Sequence, residues 1–373
     1  MKFSIEREII HKELQRANRV VPVRSTLPIL TCVLLSVENS KLRVSATDIE
    51  VTISSEVDVT DSENGTVAIQ SKLLNDLIGV LPQGELTISS DDKNFVTIES
   101  SSGSYSIAGK SAEDFPAVPT LENGESINID NETMHRIIDK TSFAVSADML
   151  RPALTGVLFE FNDENLTTVA TDGHRLAKLT INKKTGIKED KRIIIPKKFL
   201  SLILNALSGN EENSFTATEN HVMITIGSTK FYTRIIDEKY PDYNSVIPSE
   251  NDKELNVKVE DFLASAVRVS IFANKTTQQI KLTVSNNNIK ISSADPESGG
   301  SGAEDIDCKY GGEDIEIGFN SEYLKDILRQ IDTEELIMSL KAPISAGLVY
   351  PAEQAENEDY TILLMPIRLT EEA

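Results

Sequence analysis

The feature that most constrains this chain is an internal threefold repeat. Each third opens with an alternating strand pattern, continues into a helix-period stretch, passes through short β-type runs and reaches a second helix. Ser71, Pro196 and Asn320 mark the start of that second helix, and they are 125 and 124 residues apart. Nearly equal spacing of matched features predicts a chain built from three copies of one domain.

Each third has the composition of an α+β domain. Clusters of Asn, Asp, Gly and Ser punctuate the β-type runs as hairpin turns, so we expect two helices packed on antiparallel sheets. Polar connectors near residues 125 and 252 separate the thirds. The predicted domains are therefore 1–125, 126–252 and 253–373.

Composition excludes several classes of protein. Hydrophobic residues make up 39% of the 373 residues, which is enough for packed cores rather than a disordered acidic chain. The first residues carry acidic side chains where a secretory signal has an apolar region, and no apolar run reaches the length of a membrane span. Cys32 and Cys308 are predicted to be reduced, buried thiols of a cytoplasmic protein.

The net charge of −22 argues at first against a polyanionic partner, but the charge is unevenly distributed. The six predicted helices together carry +3, which leaves −25 for the rest of the chain. Their cations recur on one helical face, as for Arg136 with Lys140 and for Lys325 with Arg329. Ordinary solvated helix faces are one interpretation, and a common surface for phosphate contacts is the other. The predicted helices are 7–19, 71–81, 131–143, 196–207, 260–272 and 321–331.

Catalytic and metal-binding signals are poor. The segment 103–111 (GSYSIAGKS) departs from the spacing of a phosphate-binding loop and indicates a strand that ends in a polar turn. Asp172 and His174 could form a triad with a distant Ser, but Asp-Gly between two β-type runs is typical of a hairpin. The four histidines lack zinc-ligand spacing. We predict no catalytic residue, no metal and no cofactor.

The apolar C-terminal stretch 362–369 contains Pro366, which confines a strand to an edge or ends its pairing. A last strand buried in the third domain is one interpretation. The other is that exposed Met, Pro and Ile beyond the strand form one wall of a groove for short linear peptides.

Five stretches together resemble one family. They are 1–8 (MKFSIERE), 24–30 (RSTLPIL) with 46–50 (ATDIE), 170–177 (ATDGHRLA), 239–248 (KYPDY with a later IP) and 363–369 (LLMPIRL). In this order and across all three thirds, they are similar to the β subunits of bacterial DNA polymerase III, the sliding clamps. The resemblance implies three domains of the DNA-clamp fold in a head-to-tail homodimeric ring, with helices lining a hole that encircles duplex DNA.

The resemblance also implies partners and sites. The expected partners are double-stranded DNA, the replicative polymerase catalytic subunit, the clamp loader complex, and other polymerases and repair proteins that carry short clamp-binding motifs; no membrane is expected. It implies a DNA contact at Arg24 and similar roles for Lys197 and Lys198, to which helix-face position adds Arg136, Lys140 and Arg329. For the dimer seam it implies that Tyr105 and Ile107 of one subunit meet Ile271 and Phe272 of the other.

The family's partner-peptide pocket maps onto two adjoining groups of residues. The first is Leu154, Thr171, Gly173, His174, Arg175, Leu176, Pro241, Val246, Leu363 and Met365. The second is Arg151, Tyr323, Ile344, Pro366, Ile367 and Arg368. Ser245 and Ala153 depart from the family pattern, and the Gly/Ser-rich segment 297–305 is predicted to be a flexible loop.

Two rival functions follow from the residues alone. One is a β-rich hydrolase that uses Asp172 and His174. The other is a repeat scaffold that binds peptides but no DNA.

Overall fold

The computed structural model describes residues 1–119, 121, 124–187, 189–207 and 213–369. Each helix lies within its predicted window, except that the fifth begins one residue earlier. Within the described ranges, no helix is long and apolar enough to cross a membrane. The helices are α1 (Arg7–Asn18), α2 (Ser71–Val80), α3 (Asn131–Thr141), α4 (Lys197–Ala206), α5 (Val259–Ser270) and α6 (Ser321–Leu328).

The strands pair antiparallel throughout, as the hairpin pattern predicts. In chain order they are β1 (Lys2–Glu6), β2 (Cys32–Glu38), β3 (Lys41–Thr47), β4 (Val51–Asp58), β5 (Thr60–Glu63), β6 (Gly65–Gln70), β7 (Glu85–Ser90), β8 (Phe95–Ser100), β9 (Gly103–Ala108), β10 (Glu125–Ile127), β11 (Gly156–Phe161), β12 (Leu166–Thr171), β13 (Arg175–Ile181), β14 (Lys191–Pro196), β15 (Asn213–Ala217), β16 (His221–Ile226), β17 (Thr229–Arg234), β18 (Lys253–Lys258), β19 (Gln279–Ser285), β20 (Asn288–Asp295), β21 (Gly300–Lys309), β22 (Ile315–Asn320), β23 (Glu335–Leu340), β24 (Gly347–Pro351) and β25 (Glu358–Leu364).

The chain packs as two compact units. The first unit comprises Met1–Glu132 and Lys198–Ile235, and the second comprises Thr133–Lys197 and Ile236–Ala373. The first unit holds a five-stranded sheet in the order β5-β1-β7-β8-β9 and an eight-stranded sheet in the order β10-β15-β16-β17-β4-β3-β2-β6. The second unit holds a twelve-stranded sheet in the order β14-β11-β12-β13-β25-β24-β23-β18-β21-β20-β19-β22.

Two strand pairs join successive sequence repeats. In the first unit β17, from the second repeat, pairs with β4 from the first, in the register Thr229↔Ser55 to Thr233↔Val51. In the second unit β25, from the third repeat, pairs with β13 from the second, in the register Glu358↔Ile181 to Leu364↔Arg175. We call β4–β17 the first junction and β13–β25 the second junction. The last strand is therefore buried between two repeats and not only inside its own.

Helix pairs cover one face of the sheets. Helices α1 and α2 pack together in the first unit, and α5 and α6 do so in the second. Ile10 and Leu14 of α1 are fully buried, as are Leu324 and Ile327 of α6. Each such side chain contributes roughly 1.5–3 kcal/mol relative to an exposed one. The predicted helical periodicity is confirmed because these apolar residues meet the sheets.

The two cysteines are free and buried, as predicted. Burial raises the pKa of both thiols, which keeps them protonated and poorly reactive.

The prediction of a flexible loop at 297–305 is wrong. A turn ends at Gly299, and Gly300 begins the ten-residue strand β21. The glycines serve packing, because a Cβ on Gly302 would lie 2.5 Å from the Phe272 ring. The aromatic ring thus occupies the space that a side chain at this position would fill.

Candidate functional site

The floor of the predicted peptide pocket is one apolar cluster at the second junction. Leu154, Leu176 and Leu363, which are far apart in sequence, are all buried in it. Leu176 and Leu363 face each other across the β13–β25 pair. Sequence reasoning missed several members, which the alternating strand pattern alone does not distinguish from ordinary core: Leu158, Val169, Ile194, Tyr240, Tyr243 and Leu348.

Local turn chemistry places the walls of the pocket. Pro152 opens a short 3-10 turn that presents Leu154, since proline favours the first helical position. In the Asp172–Gly173 hairpin, the Asp172 carboxylate accepts from the backbone N–H groups of His174 (2.8 Å) and Arg175 (3.0 Å). Gly173 has a φ of +91°, which favours glycine. The predicted hairpin is confirmed.

The rim carries exposed apolar side chains above this buried floor. Met365 is 39% exposed, Val246 54% and Ile344 71%. Strand β25 ends at Leu364, just before Pro366. Beyond it, Met365 donates to the His174 carbonyl (2.8 Å) and Ile367 donates to the Gly318 carbonyl (2.9 Å). Of the two alternatives predicted for Pro366, the end of strand pairing is the one observed, and beyond it Ile367 forms an isolated bridge with Gly318.

Arg175 holds the pocket wall together. It is 8% exposed, and its guanidinium donates to Asp172 (3.2 Å), Asp326 (2.8 Å) and the carbonyl of Phe143 (3.0 Å). The guanidinium also lies over the rings of Tyr323 and Phe143, 4.6 and 5.2 Å from their centroids. Each of the three guanidinium nitrogens donates to the protein, so this cation positions the wall.

The geometry does not build the hydrolase triad. The His174 ring stacks on the Tyr323 ring, with centroids 5.9 Å apart. The Asp172 oxygens are occupied by the His174 and Arg175 backbone and by the Arg175 guanidinium. Burial raises the pKa of Tyr323, and the Asp172 charge adds to that shift. His174 therefore lies exposed beside an aromatic neighbour that stays protonated.

Other residues of the predicted pocket are held by local contacts or are exposed. The Arg151 guanidinium donates to Asp148 (2.9 Å) and packs against Gly173, where a Cβ would lie 3.0 Å from it. The Thr171 hydroxyl donates to the Arg175 carbonyl at 2.6 Å. Pro241 and Arg368 are exposed, as the rim requires.

The two departures from the family pattern have visible consequences. The Ser245 hydroxyl donates to the Asp242 carbonyl at 2.7 Å, so it is engaged within its own turn. Ala153 packs against the apolar cluster and leaves room where a larger side chain would stand.

Four of the six predicted DNA-contacting residues are exposed. Arg24 lies in the loop between α1 and β2, and Lys197 and Lys198 open α4. Lys198 forms an ion pair with Asp48, and Arg329 forms one with Asp326 at 3.1 Å. Burial is the main cause that lowers the pKa of Lys197, and the nearby Arg175 charge adds to it.

Arg136 and Lys140, the other two predicted DNA contacts, are less exposed than these four and are engaged within the chain. Lys140 is 2% exposed and donates to the Gln330 carbonyl (2.7 Å) and to Asp332 (2.6 Å). Arg136 binds Glu358 through two nitrogens and also binds Asp332. Helical spacing places both cations on one face, but that face is covered by acidic groups from the third repeat. They tie the second junction together.

The predicted seam residues also differ from one another in exposure. Ile271 is 76% and Phe272 40% exposed, and Tyr105 is half-buried. Ile107, by contrast, is 6% exposed and faces the core of the first unit. The Ile107 side chain is thus already covered within its own unit, while strand β9, which carries it, lies at a sheet edge.

No cluster of three His, Cys, Asp or Glu side chains suited to a metal ion occurs among the described residues.

Comparisons with known proteins agree over the whole chain. Three family models of the DNA polymerase III beta subunit match this chain. The N-terminal domain model matches residues 1–119, the central domain model 128–242 and the C-terminal domain model 244–368. The beta sliding clamp of Pseudomonas aeruginosa is 32% identical over 371 residues, covering 99% of this chain and 100% of the relative. That of Escherichia coli strain K12 is 30% identical over 373 residues, with the same coverage.

A solved structure gives the same result. The crystal structure of the DNA polymerase III subunit beta from Pseudomonas aeruginosa superposes with a TM-score of 0.93 at 31% identity, covering 99% of this chain and 100% of the other. The chain therefore belongs to the bacterial DNA polymerase III beta subunit family, the non-catalytic sliding clamps that confer processivity on DNA replication.

Proposed function

We propose that two copies of this chain close head to tail into a ring around duplex DNA. The ring tethers the replicative polymerase catalytic subunit, the clamp loader complex, and other polymerases and repair proteins. These partners bind through short linear segments in the pocket at the second junction. DNA replication in bacteria places this activity in the cytoplasm.

The observation that carries this proposal is a pair of open sheet edges. Three repeats form two junctions within the chain, β4–β17 and β13–β25, and each pairs the last strand of one repeat with the fourth-strand position of the preceding one. The last strand of the first repeat, β9, and the fourth strand of the third repeat, β21, occupy the corresponding positions but belong to neither junction. Among the described residues, β9 pairs only with β8, and the 300–307 part of β21 pairs only with β20.

Ring closure follows from repeating the junction a third time. If β9 of one copy pairs with β21 of another, the contact is heterologous, and two such contacts close a twofold-symmetric dimer. Exposed Ile271 and Phe272 lie next to β21, which gives the seam an apolar component. Paired edges would also remove two strands open to aggregation.

The exposed cations support contact with the phosphate backbone. Arg24, Lys197, Lys198 and Arg329 are the proposed DNA-contacting residues. Such contacts carry no sequence information, which suits a protein that slides. An acidic exterior repels DNA elsewhere, so the net charge of −22 restricts where DNA binds.

The pocket suits a peptide because its floor is buried and its rim is apolar and exposed. We propose that the sixteen residues of the two groups named above form the pocket, in which Leu363 and Arg175 act as supporting structure. We also propose domain limits at 1–125, 126–252 and 253–373. Strands β10 and β18, which begin at Glu125 and Lys253, support these limits.

The test is retention on DNA. After loading by a clamp loader, the protein should stay on nicked circular duplex and be lost when that duplex is linearised. Retention on linear DNA, or none on circles, would contradict a topological link. A peptide-binding scaffold without DNA function would give no retention on either form.

Matched variants test the seam. Ile271→Asp with Phe272→Asp should shift the protein from dimer to monomer in light scattering and abolish retention. Ile49→Asp, which places a charge at another exposed apolar position (56% exposed), should leave the dimer intact. A dimeric double variant would place the seam elsewhere.

A further inference from the structure

A cleft of about 460 Å³ lies in the first unit, at the first junction. Its base is the outer face of β3, β4 and β17, opposite to the face that buries Leu42 and Val44. Lys41, Arg43 and Lys230 project into the cleft, together with Glu56. These residues lie outside the predicted peptide pocket and outside the predicted DNA contacts.

The cleft is cationic in a protein that is strongly acidic. Lys41 and Arg43 share one carboxylate, since both bind Glu56, at 2.9 and 3.2 Å. Lys230 is exposed and, among the described residues, forms no ion pair within 4 Å. Among the lining residues, three cations against one anion leave an excess positive charge of two, and the nearby Asp58 charge also acts on Lys41. A phosphate monoester carries about that much negative charge near neutral pH.

The other walls limit the ligand in size and character. Pro119 and Tyr232 form a partly apolar side, and burial raises the pKa of the Tyr232 hydroxyl. The hydroxyl therefore stays protonated and available as a donor. The volume lies within the range of about 300–1,000 Å³ that is typical of small-molecule sites. It exceeds what a bare phosphate ion fills.

The charges sit on a rigid frame. Lys41 and Arg43 are carried by β3, Glu56 by β4 and Lys230 by β17, in a continuous ladder. Strand-borne groups hold their geometry better than loop-borne groups. An arginine fork beside two ammonium groups is suited to phosphate oxygens.

We propose that this cleft binds a small phosphate-bearing molecule of up to about mononucleotide size. The phosphate lies among Lys41, Arg43 and Lys230, and the remainder of the ligand lies against the side formed by Pro119 and Tyr232. The proposal does not depend on ring closure, on DNA or on the peptide pocket.

The test is calorimetric titration of the full-length protein with adenosine 5′-monophosphate, inorganic phosphate and adenosine. We expect one saturable site per chain for the monophosphate, weaker binding of inorganic phosphate and no binding of adenosine. Lys230→Ala should weaken monophosphate binding by about tenfold or more, because it removes a charged hydrogen-bond donor. Lys290→Ala, which removes an exposed strand lysine in the second unit, should leave the affinity unchanged.

Three outcomes would overturn the proposal. They are the absence of saturable binding, equal affinity in Lys230→Ala and wild type, and tighter binding of an acidic peptide than of the phosphate probes. Circular dichroism of Lys230→Ala checks that the fold is intact, and Arg43→Lys serves as a second variant. Loss of the bidentate fork in Arg43→Lys should weaken binding while the charge is kept.

Discussion

The two junctions within this chain share a backbone plan but differ in chemistry. Both pair strands from successive repeats. In each case a 3-10 turn of the form Pro-x-Leu-Thr comes earlier in the chain, at Pro28–Thr31 for the first junction and at Pro152–Thr155 for the second. The second junction places Leu176 opposite Leu363, whereas the first places Thr52 opposite Tyr232. The outer face of the second junction is apolar, whereas that of the first junction is cationic.

The comparison separates scaffold from function. The helix-covered face of each junction must bury apolar side chains, so this face is apolar at both junctions. The outer face is not needed for the core and is free to diverge. The helix side also differs in one respect: Lys140 is buried against Asp332, while its counterpart in helix register, Arg16, bonds Glu13 and Thr229 and is partly exposed.

The largest effect should come from placing a charge on the rim of the pocket. Met365→Asp should weaken binding of a labelled clamp-binding peptide about a hundredfold, because it removes a buried apolar contact of roughly 2–3 kcal/mol. Fluorescence polarisation measures the affinity. Ile49→Asp, near the first junction, is the control and should have no effect on it. Unchanged binding in Met365→Asp would show that the peptide binds elsewhere. Leu363 is a poorer probe, since it is buried and its substitution also disturbs the core.

The next effect concerns the helix side of the junctions. Lys140→Met should lower the free energy of unfolding by roughly 1–3 kcal/mol, because the Gln330 carbonyl and Asp332 lose their donor. Arg16→Met should cost less, because the Arg16 side chain is 23% exposed whereas that of Lys140 is 2% exposed, although its partner Glu13 is buried. Thermal unfolding of both variants measures the difference. Equal losses would mean that the two junctions are braced alike.

The smallest effect is a dependence on pH. Burial opposes ionisation of Asp332, but hydrogen bonds from Lys140 and Arg136 outweigh it, so the pKa of Asp332 is lowered in the folded protein. The resulting stability is present above the unfolded pKa of about 3.9 and is lost as pH falls through the lower folded value. Asp332→Asn should therefore lower the melting temperature at pH 7, and this deficit should shrink as pH falls below the unfolded pKa of about 3.9. A deficit that persists at low pH would point to lost packing instead. The effect is modest because the side chain is 54% exposed.

Local sequence signals predicted the elements well. Six helices, the Asp172–Gly173 hairpin and the end of pairing at Pro366 all follow from short-range chemistry: apolar periodicity, turn-forming residues and the missing proline N–H. The rim residues of the pocket could be assigned only through family resemblance. The buried floor contributed by Leu158, Val169 and Leu348 was missed, since inward-facing strand residues have the same pattern whether or not a pocket lies above them.

The surroundings of some positions depend on residues that are distant in sequence. Arg136 and Lys140 have the spacing of a basic helix face, but Asp332 and Glu358, about 200 residues away, neutralise that face. The glycines at 300 and 302 have the composition of a loop, but both lie in strand β21. The Phe272 ring fills the space that a side chain at 302 would occupy.

The sequence by itself determined that this chain is a threefold repeat of α+β domains, because repeated periodicity and turn chemistry act over a few residues. Only the tertiary structure decided how strands cross from one repeat to the next, which cations are neutralised, and which outer face is apolar and which cationic. These outcomes depend on residues hundreds of positions apart that meet in space, and no local pattern encodes such meetings.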